Sequence, residues 1–309
     1  MRITTFSVYQ SSINNLQQRQ RELGASQEQM TSGKRVARVS DDPAAAARAE
    51  RALAAISRSD ANQRALDASR SAMQESESAL AEAGDLTQSA RELIMKAGNA
   101  TYTDAERSML VQSLRGIRDQ LLTVANRADA VGSFLFGGQG SASPPFVDSA
   151  SGVQYQGTAG QTQITAGQDM PLSLDGKNAW LEAENPVAGG PPLSAFDVLD
   201  RVINELATPG RGDVAVAQTV HDGLRDVDAV STHLLVWRAR TGEVLNRTDA
   251  LESRIADARL GAQVERSNAE DLDMVQAISN FQNQQTGYDA ALRAYSTVQR
   301  MSLFNYING

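Results

Sequence analysis

The chain has 309 residues, a net charge of −8, 41% hydrophobic and only 5% aromatic residues, which favours long helices with narrow Ala-rich contacts over one bulky globular core. Its acidic balance, with arginines interspersed among Asp and Glu, excludes a sustained basic face for nucleic acid, and no apolar run approaches the roughly 18 residues of a membrane span. With no cysteine there are no disulfides, thiolate metal sites or Cys nucleophiles, which suits a cytoplasmic protein and equally one exported unfolded through a narrow channel.

The opening residues Met1-Arg2-Ile3-Thr4-Thr5-Phe6-Ser7 have no continuous apolar core, so a Sec-type signal peptide is not expected. A first helix is expected from about Thr5 to Thr31. Tyr9, Leu16, Leu23 and Met30 recur every seven residues along it, Phe6 and Ile13 fill the interleaved row, and Gly33 is placed to end it. After an irregular stretch, Asp42-Pro43 reads as an N-cap followed by proline at the first helical position. The helical pattern then runs to Ala97, with Leu66, Met73, Leu80, Thr87 and Ile94 in one row and Ser69, Ser76, Ala83, Ala90 and Ala97 in the other. Gly98-Asn99 breaks it. Thr103-Asp104-Ala105-Glu106 is a capping-box signature for a third helix, whose seam is expected to run Leu110, Ile117, Val124 and Val131 beside Leu114, Leu121 and Ala128.

Composition changes after Val131. Gly132 to Pro192 is rich in Gly, Pro, Ser, Thr and Gln, with period-two fragments Val153–Gln156 and Gln161–Thr165. Gly157 to Gly160 is expected as the turn between those fragments, and Asp175-Gly176 as a second turn. This is a small antiparallel β insert with a modest core, expected to be the least stable part. Helix resumes at Ser194, with Phe196, Leu199, Ile203 and Leu206 on one face, and stops at Thr208-Pro209-Gly210. A second long helix is expected from Asp213 to about Leu260, with its seam from Val216 through Trp237 to Ala258, and Gly261 marks a joint. Finally Met274, Phe281, Tyr288 and Tyr295 recur at seven-residue spacing, with Ile278 and Leu292 beside them.

Two such amphipathic ends, far apart in sequence, most simply bury their stripes by pairing as a coiled coil. The expected fold is mainly α: a long coiled-coil helical bundle rod with paired terminal helices and a small inserted antiparallel β domain. Its parts are 1–40 with 264–309 (the terminal pair), 41–132 with 194–263 (the long bundle) and 133–193 (the insert). The terminal faces are unusual: Ile3 to Gln18 has no charged residue, and after Asp273 only Asp289, Arg293 and Arg300 are charged, while Gln20, Gln27, Gln282 and Gln285 intrude into the seams. Uncharged polar faces suit helices packed against copies of themselves, disordered when free and ordered on assembly.

Catalytic chemistry finds little support. His221 and His233 sit twelve residues apart on one expected helix, roughly 18 Å along its axis, too far to share a metal. Gly137-Gly138-Gln139-Gly140 lacks the strand-then-helix context of a dinucleotide loop. Asp41-Asp42 is explained by capping, and Trp180 and Trp237 by packing. No catalytic, cofactor or metal residues are assigned, and the chain is not expected to be an enzyme. The expected site is an assembly seam of Phe6, Tyr9, Ile13, Leu16, Leu23, Met30, Met274, Ile278, Phe281, Tyr288, Leu292 and Tyr295.

Thr31-Ser32-Gly33-Lys34-Arg35 and Ser40-Asp41-Asp42-Pro43-Ala44-Ala45 resemble the segment joining the terminal helix to the rod in the flagellin-like family of bacterial flagellar proteins. Phe281–Thr286, the closing Leu303–Ile307, the opening Met1–Thr5 and Phe134–Gly138 resemble the hook–filament junction members more than flagellin, the bulk filament subunit, which is the alternative. The resemblance implies export through the flagellar type III apparatus without a cleaved signal, and a homo-oligomeric tubular assembly between hook-associated protein 1 and flagellin. It also implies terminal helices lining an inner tube, an outward β insert, an extracellular location, and an export chaperone covering the C-terminal segment around Ile278 to Tyr295.

Overall fold

The computed structural model describes the backbone of residues 5–99 and 101–307, and side chains of residues 10–99 and 101–297. It is mainly helical: α1 (Thr5–Ser32), α2 (Pro43–Ala97), α3 (Asp104–Ala125), α4 (Gly176–Leu181), α5 (Ala195–Ala207), α6 (Asp213–Glu270) and α7 (Met274–Ile307). Four short strands, β1 (Phe146–Ser149), β2 (Gly152–Tyr155), β3 (Gln163–Thr165) and β4 (Asp169–Pro171), fall between α3 and α4. The described residues include no helix long and apolar enough to cross a membrane. Two compact units result, one from residues up to Ser59 with those from Asp257 onward, the other Asp60–Ala256, with α2 and α6 contributing to both.

In the central unit the heptad rows of α2 are buried throughout: Leu66, Met73, Leu80, Thr87 and Ile94, and Ser69, Ser76, Ala83, Ala90 and Ala97. The small second row permits close packing, and Ser76 and Thr87 satisfy their hydroxyls by donating to the carbonyls of Ala72 and Ala83 one turn back. The facing row of α6, Val220, Val227, Leu234, Thr241, Thr248 and Ile255, is buried as well. Ion pairs run alongside: Arg70 with Asp249 (2.8 Å) and Glu252 (2.6 Å), Glu77 with Arg238 (2.6 Å), and Arg91 with Asp228 (2.7 Å). Partner numbers fall along α6 as they rise along α2, so the helices are antiparallel.

α3 begins at the capping box: Thr103 Oγ1 accepts from Glu106 N–H, and the Glu106 carboxylate accepts from Thr103 N–H at 2.8 Å. It ends six residues before the expected Val131, which is 86% exposed on a turn. The cause is Asn126. Its side-chain amide donates to Phe146 O (2.8 Å) and accepts from Phe146 N–H (2.9 Å), pairing with the start of β1 as a strand residue would.

The insert also departs from expectation. β2 pairs with β1 (Phe146↔Tyr155, Ser149↔Gly152) and β3 with β4 (Gln163↔Pro171, Thr165↔Asp169), giving two separate antiparallel pairs and no hairpin across Gly157–Gly160. Asp175 is not a hairpin turn but the N-cap of α4, accepting from Asn178 N–H. No isolated small core forms. Phe136, Phe146 and Trp180 join Phe196 of α5, with Trp180 stacked on Phe196 at 5.9 Å and edge-on to Phe136 at 5.4 Å. Arg118 of α3, itself buried, holds Asp148 of β1 (2.7 Å) and Asp200 of α5 (3.1 Å) in one guanidinium fork. At the first turn of the insert, Gly138 has φ +66°, and a Cβ there would lie 1.8 Å from Thr158 O, so only glycine fits.

Candidate functional site

The terminal unit contains the expected seam. α1 packs against α7 in antiparallel fashion: Ser26 Oγ donates to Gln284 Oε1 at 2.7 Å, and Arg19 Nη1 lies where a Cβ on Gly287 would stand, 2.7 Å away. Farther along, Leu16 and Ser12 line a groove with Ala291, Ala294 and Tyr295. Ile13, Leu16, Leu23 and Met30 are half-buried, as are Phe281, Tyr288 and Tyr295. Phe6 and Tyr9 lie outside the residues whose side chains are described.

α7 has one face toward α1 and further apolar side chains outside it. That face consists of Phe281, Tyr288 and Tyr295 with Ala277, Gln284 and Ala291 between them, of which Ala277 is buried. The expected companions Ile278 and Leu292 are left 42% and 41% exposed, and so is Met274, the first member of the expected primary row, at 43%. Gln20, Gln27, Gln282 and Gln285 are also exposed and do not intrude into the contact. α1 covers one face of α7, and a single partner helix leaves the flanking positions open to solvent.

The pair is closed at one end by a joint that heptad reading does not reveal. Gly33 (φ +69°) ends α1, and the chain runs antiparallel to the α6–α7 break. Arg35 N–H donates to Glu270 O (2.7 Å) and Leu272 N–H to Gly33 O (3.0 Å). Lys34 Nζ and Arg266 Nε both reach Glu270 Oε1, at 3.3 and 2.8 Å. Asp41 accepts from the N–H groups of Ala37 (3.1 Å) and Arg38 (2.8 Å), and Asp42 from Ala45 N–H (2.9 Å) at the start of α2. The Ala45 N–H and then Arg35 hold the Asp42 carboxyl below its ordinary value. On α7, Asp273 caps by accepting from Val275 and Gln276 N–H. The break thus falls at Asp271–Asp273. Gly261, expected as the joint, lies inside α6.

Elsewhere, His221 is exposed and His233 Nε2 lies 2.8 Å from Asn178 O and 3.1 Å from Trp237 Nε1. Trp180 and Trp237 are both buried, with the Arg240 guanidinium 5.1 Å over the Trp237 ring.

The family model for the bacterial flagellin N-terminal helical region matches residues 3–141. Flagellar hook-associated protein 3 of Salmonella typhimurium is 31% identical over 322 aligned positions, covering 98% of this chain and 99% of the relative. The chain belongs to the flagellar hook-associated protein 3 family. Solved structures share its fold. A hook-associated protein of Vibrio parahaemolyticus superposes with a TM-score of 0.66 at 19% identity, covering 75% of this chain and 100% of that one. The flagellar junction protein FlgL of Legionella pneumophila superposes at 0.55 and 18%, covering 62% and 95%. Hook-associated protein 3 relatives are flagellar components, and full-length similarity to them favours this membership over bulk flagellin.

Proposed function

We propose that this chain is the structural subunit joining hook-associated protein 1 to the flagellin filament, assembling as a homo-oligomeric tube through its terminal helices and catalysing no reaction. The observation that carries this reading is the apolar surface of α7 that α1 leaves uncovered: Met274, Ile278 and Leu292 are each about two-fifths exposed. Completing the burial of each is worth about 1 kcal/mol, and neighbouring copies in a tube supply the missing surface. The seam set from Phe6 to Tyr295 is accordingly the assembly element. Residues 1–40 with 264–309 line the inner tube, 41–132 with 194–263 form the wall, and 133–193 face outward. Before assembly an export chaperone covers the apolar side chains of α7, and the subunit leaves through the flagellar type III apparatus without cleavage.

The test is Leu292→Asp. The isolated subunit should unfold in urea at the wild-type midpoint, because Leu292 contributes nothing to the central core, while incorporation into flagella fails. Electron microscopy of cells carrying the variant should show hooks without filaments, with filament monomers in the medium. Normal filaments in those cells would overturn the assignment.

A further inference from the structure

We propose that Arg35 is the positioning residue that sets the register at which α1 lies against α7. Its consequence for assembly rests on the reading above; the register claim does not.

The apolar contacts of the helix pair cannot set register by themselves. Leu16, Leu23 and Met30 on one side, and Phe281, Tyr288 and Tyr295 on the other, repeat every seven residues. A seven-residue slide therefore replaces one apolar contact with another of nearly the same size. Coiled coils escape this degeneracy with charged flanking pairs or a buried polar residue. Here charge is sparse and one-sided: Ile3 to Gln18 has none, Arg19, Arg21, Glu22 and Glu28 follow on α1, and α7 has only Asp289, Arg293 and Arg300. Register has to come from a contact that does not repeat.

Arg35 supplies it with four hydrogen bonds to three helices. Its carbonyl accepts from Gln29 Nε2 of α1 at 3.0 Å. Its N–H donates to Glu270 O at the end of α6 (2.7 Å), and Nη2 donates to Ala269 O beside it (2.8 Å). Nη1 donates to Asp42 Oδ2, the N-cap of α2, at 3.2 Å. The guanidinium therefore bridges the carbonyl end of one helix to the capping carboxylate of another, each a favourable place for its charge. α1 ends at Ser32, three residues away, and α7 starts at Met274, four residues past Glu270. Both terminal helices thus leave from a common fixed origin. Lys34, next to it, reaches only α6, through a single ammonium on Glu270, and does not touch the cap of α2.

The chain has no cysteine, so paired cysteines report register cleanly. Ser26→Cys with Gln284→Cys probes the native register, and Ser26→Cys with Ala291→Cys the seven-residue slide; both are treated with a short thiol cross-linker in the monomer. With Arg35 in place the first pair should react and the second should not. In Arg35→Ala the preference should fall about tenfold, the scale of one lost charge-assisted hydrogen bond, and Arg35→Lys should not restore it. Both tryptophans lie in the central unit, so their fluorescence reports that unit alone, and its urea transition should not move. An unchanged preference in Arg35→Ala, full rescue by lysine, or a shifted tryptophan transition would each overturn the proposal. A variant that loses register yet polymerises normally would leave Arg35 as assigned and count against the assembly reading instead.

Discussion

The two units use the same heptad pattern to opposite ends. The central unit holds Trp180, Phe136, Phe146, Phe196, Leu66, Met73 and the other largest fully buried side chains of the described residues. Buried hydrophobic positions of the terminal unit are mostly alanines: Ala45, Ala49, Ala52, Ala269 and Ala277, with Val36. Charge divides in the same way. The central unit has 16 Lys and Arg against 26 Asp and Glu, the terminal unit 13 against 11. A strongly charged surface keeps a finished fold soluble and apart from its copies, while a near-neutral one with uncovered apolar residues permits close association. The central unit buries its large side chains in its own core; the terminal unit leaves Met274, Ile278 and Leu292 of α7 partly exposed.

The contrast is tested most strongly at Phe196. Its ring is fully buried between Trp180 and Phe146, so Phe196→Ala should cost about 3–5 kcal/mol in urea unfolding followed by tryptophan fluorescence. The Ser26–Gln284 cross-link of the terminal unit should survive in denaturant too weak to unfold the wild type. If both readouts fail together at the same urea concentration, the two units do not differ in the way described.

A smaller effect belongs to Arg118. Losing a fully buried ion-pair partner costs several kcal/mol, but Asp148 is half exposed, so Arg118→Ala should cost about 1–2 kcal/mol. It also has a pH signature. The Arg118 hydrogen bonds hold Asp148 below the ordinary carboxyl value despite partial burial. A folded pKa below the unfolded one gives stability that is complete above the unfolded value, about 4, and lost as pH falls through the folded one. The central unit should therefore weaken below about pH 4, and Arg118→Ala should flatten that part of the curve. A variant with the same acid limb as wild type would remove Asp148 as its source.

These two units also differ in how much of them could be read from residues alone. The α2 rows from Leu66 to Ile94 are legible because every position is buried, so period and environment agree. The α5 face of Phe196, Leu199, Ile203 and Leu206 is legible for the same reason. On α7 periodicity reads Met274, Phe281, Tyr288 and Tyr295 with Ile278 and Leu292 as one seam, and it cannot say which of them meet α1; the structure brings in Phe281, Tyr288 and Tyr295 and leaves the others exposed. The end of α3 is hidden because Asn126 pairs with Phe146, twenty residues on, a long-range bond without local signal. The strand partners are not legible because Gly157–Gly160 and Ser151-Gly152 both carry turn residues, and only the shared aromatic cluster favours the second. Arg35 has no local signature, because its guanidinium acts on Ala269 O, 234 residues away in sequence, as well as on Asp42.

The finest comparison uses one substitution in the same helix. Glycine inside a helix costs about 1 kcal/mol relative to alanine, so each helical glycine needs a reason. At Gly223, in the central unit, the reason is internal: a Cβ would lie 2.7 Å from Val202 Cγ2 and 3.5 Å from Ile94 Cγ2. Gly223→Ala should therefore destabilise by about 1 kcal/mol net, overpacking outweighing the helical gain. Gly261, in the terminal unit, meets nothing within 4 Å, and its neighbours Leu260 and Val264 are exposed apolar residues on the same helix. Gly261→Ala should raise the helix melting temperature of the isolated chain, a gain of about 0.5–1 kcal/mol read by circular dichroism. Opposite signs at the two positions would show that Gly223 is packed from within the chain and Gly261 is not. Destabilisation at both would show that Gly261 already has an intramolecular neighbour, and the distinction between a self-sufficient unit and an incomplete one would fail there.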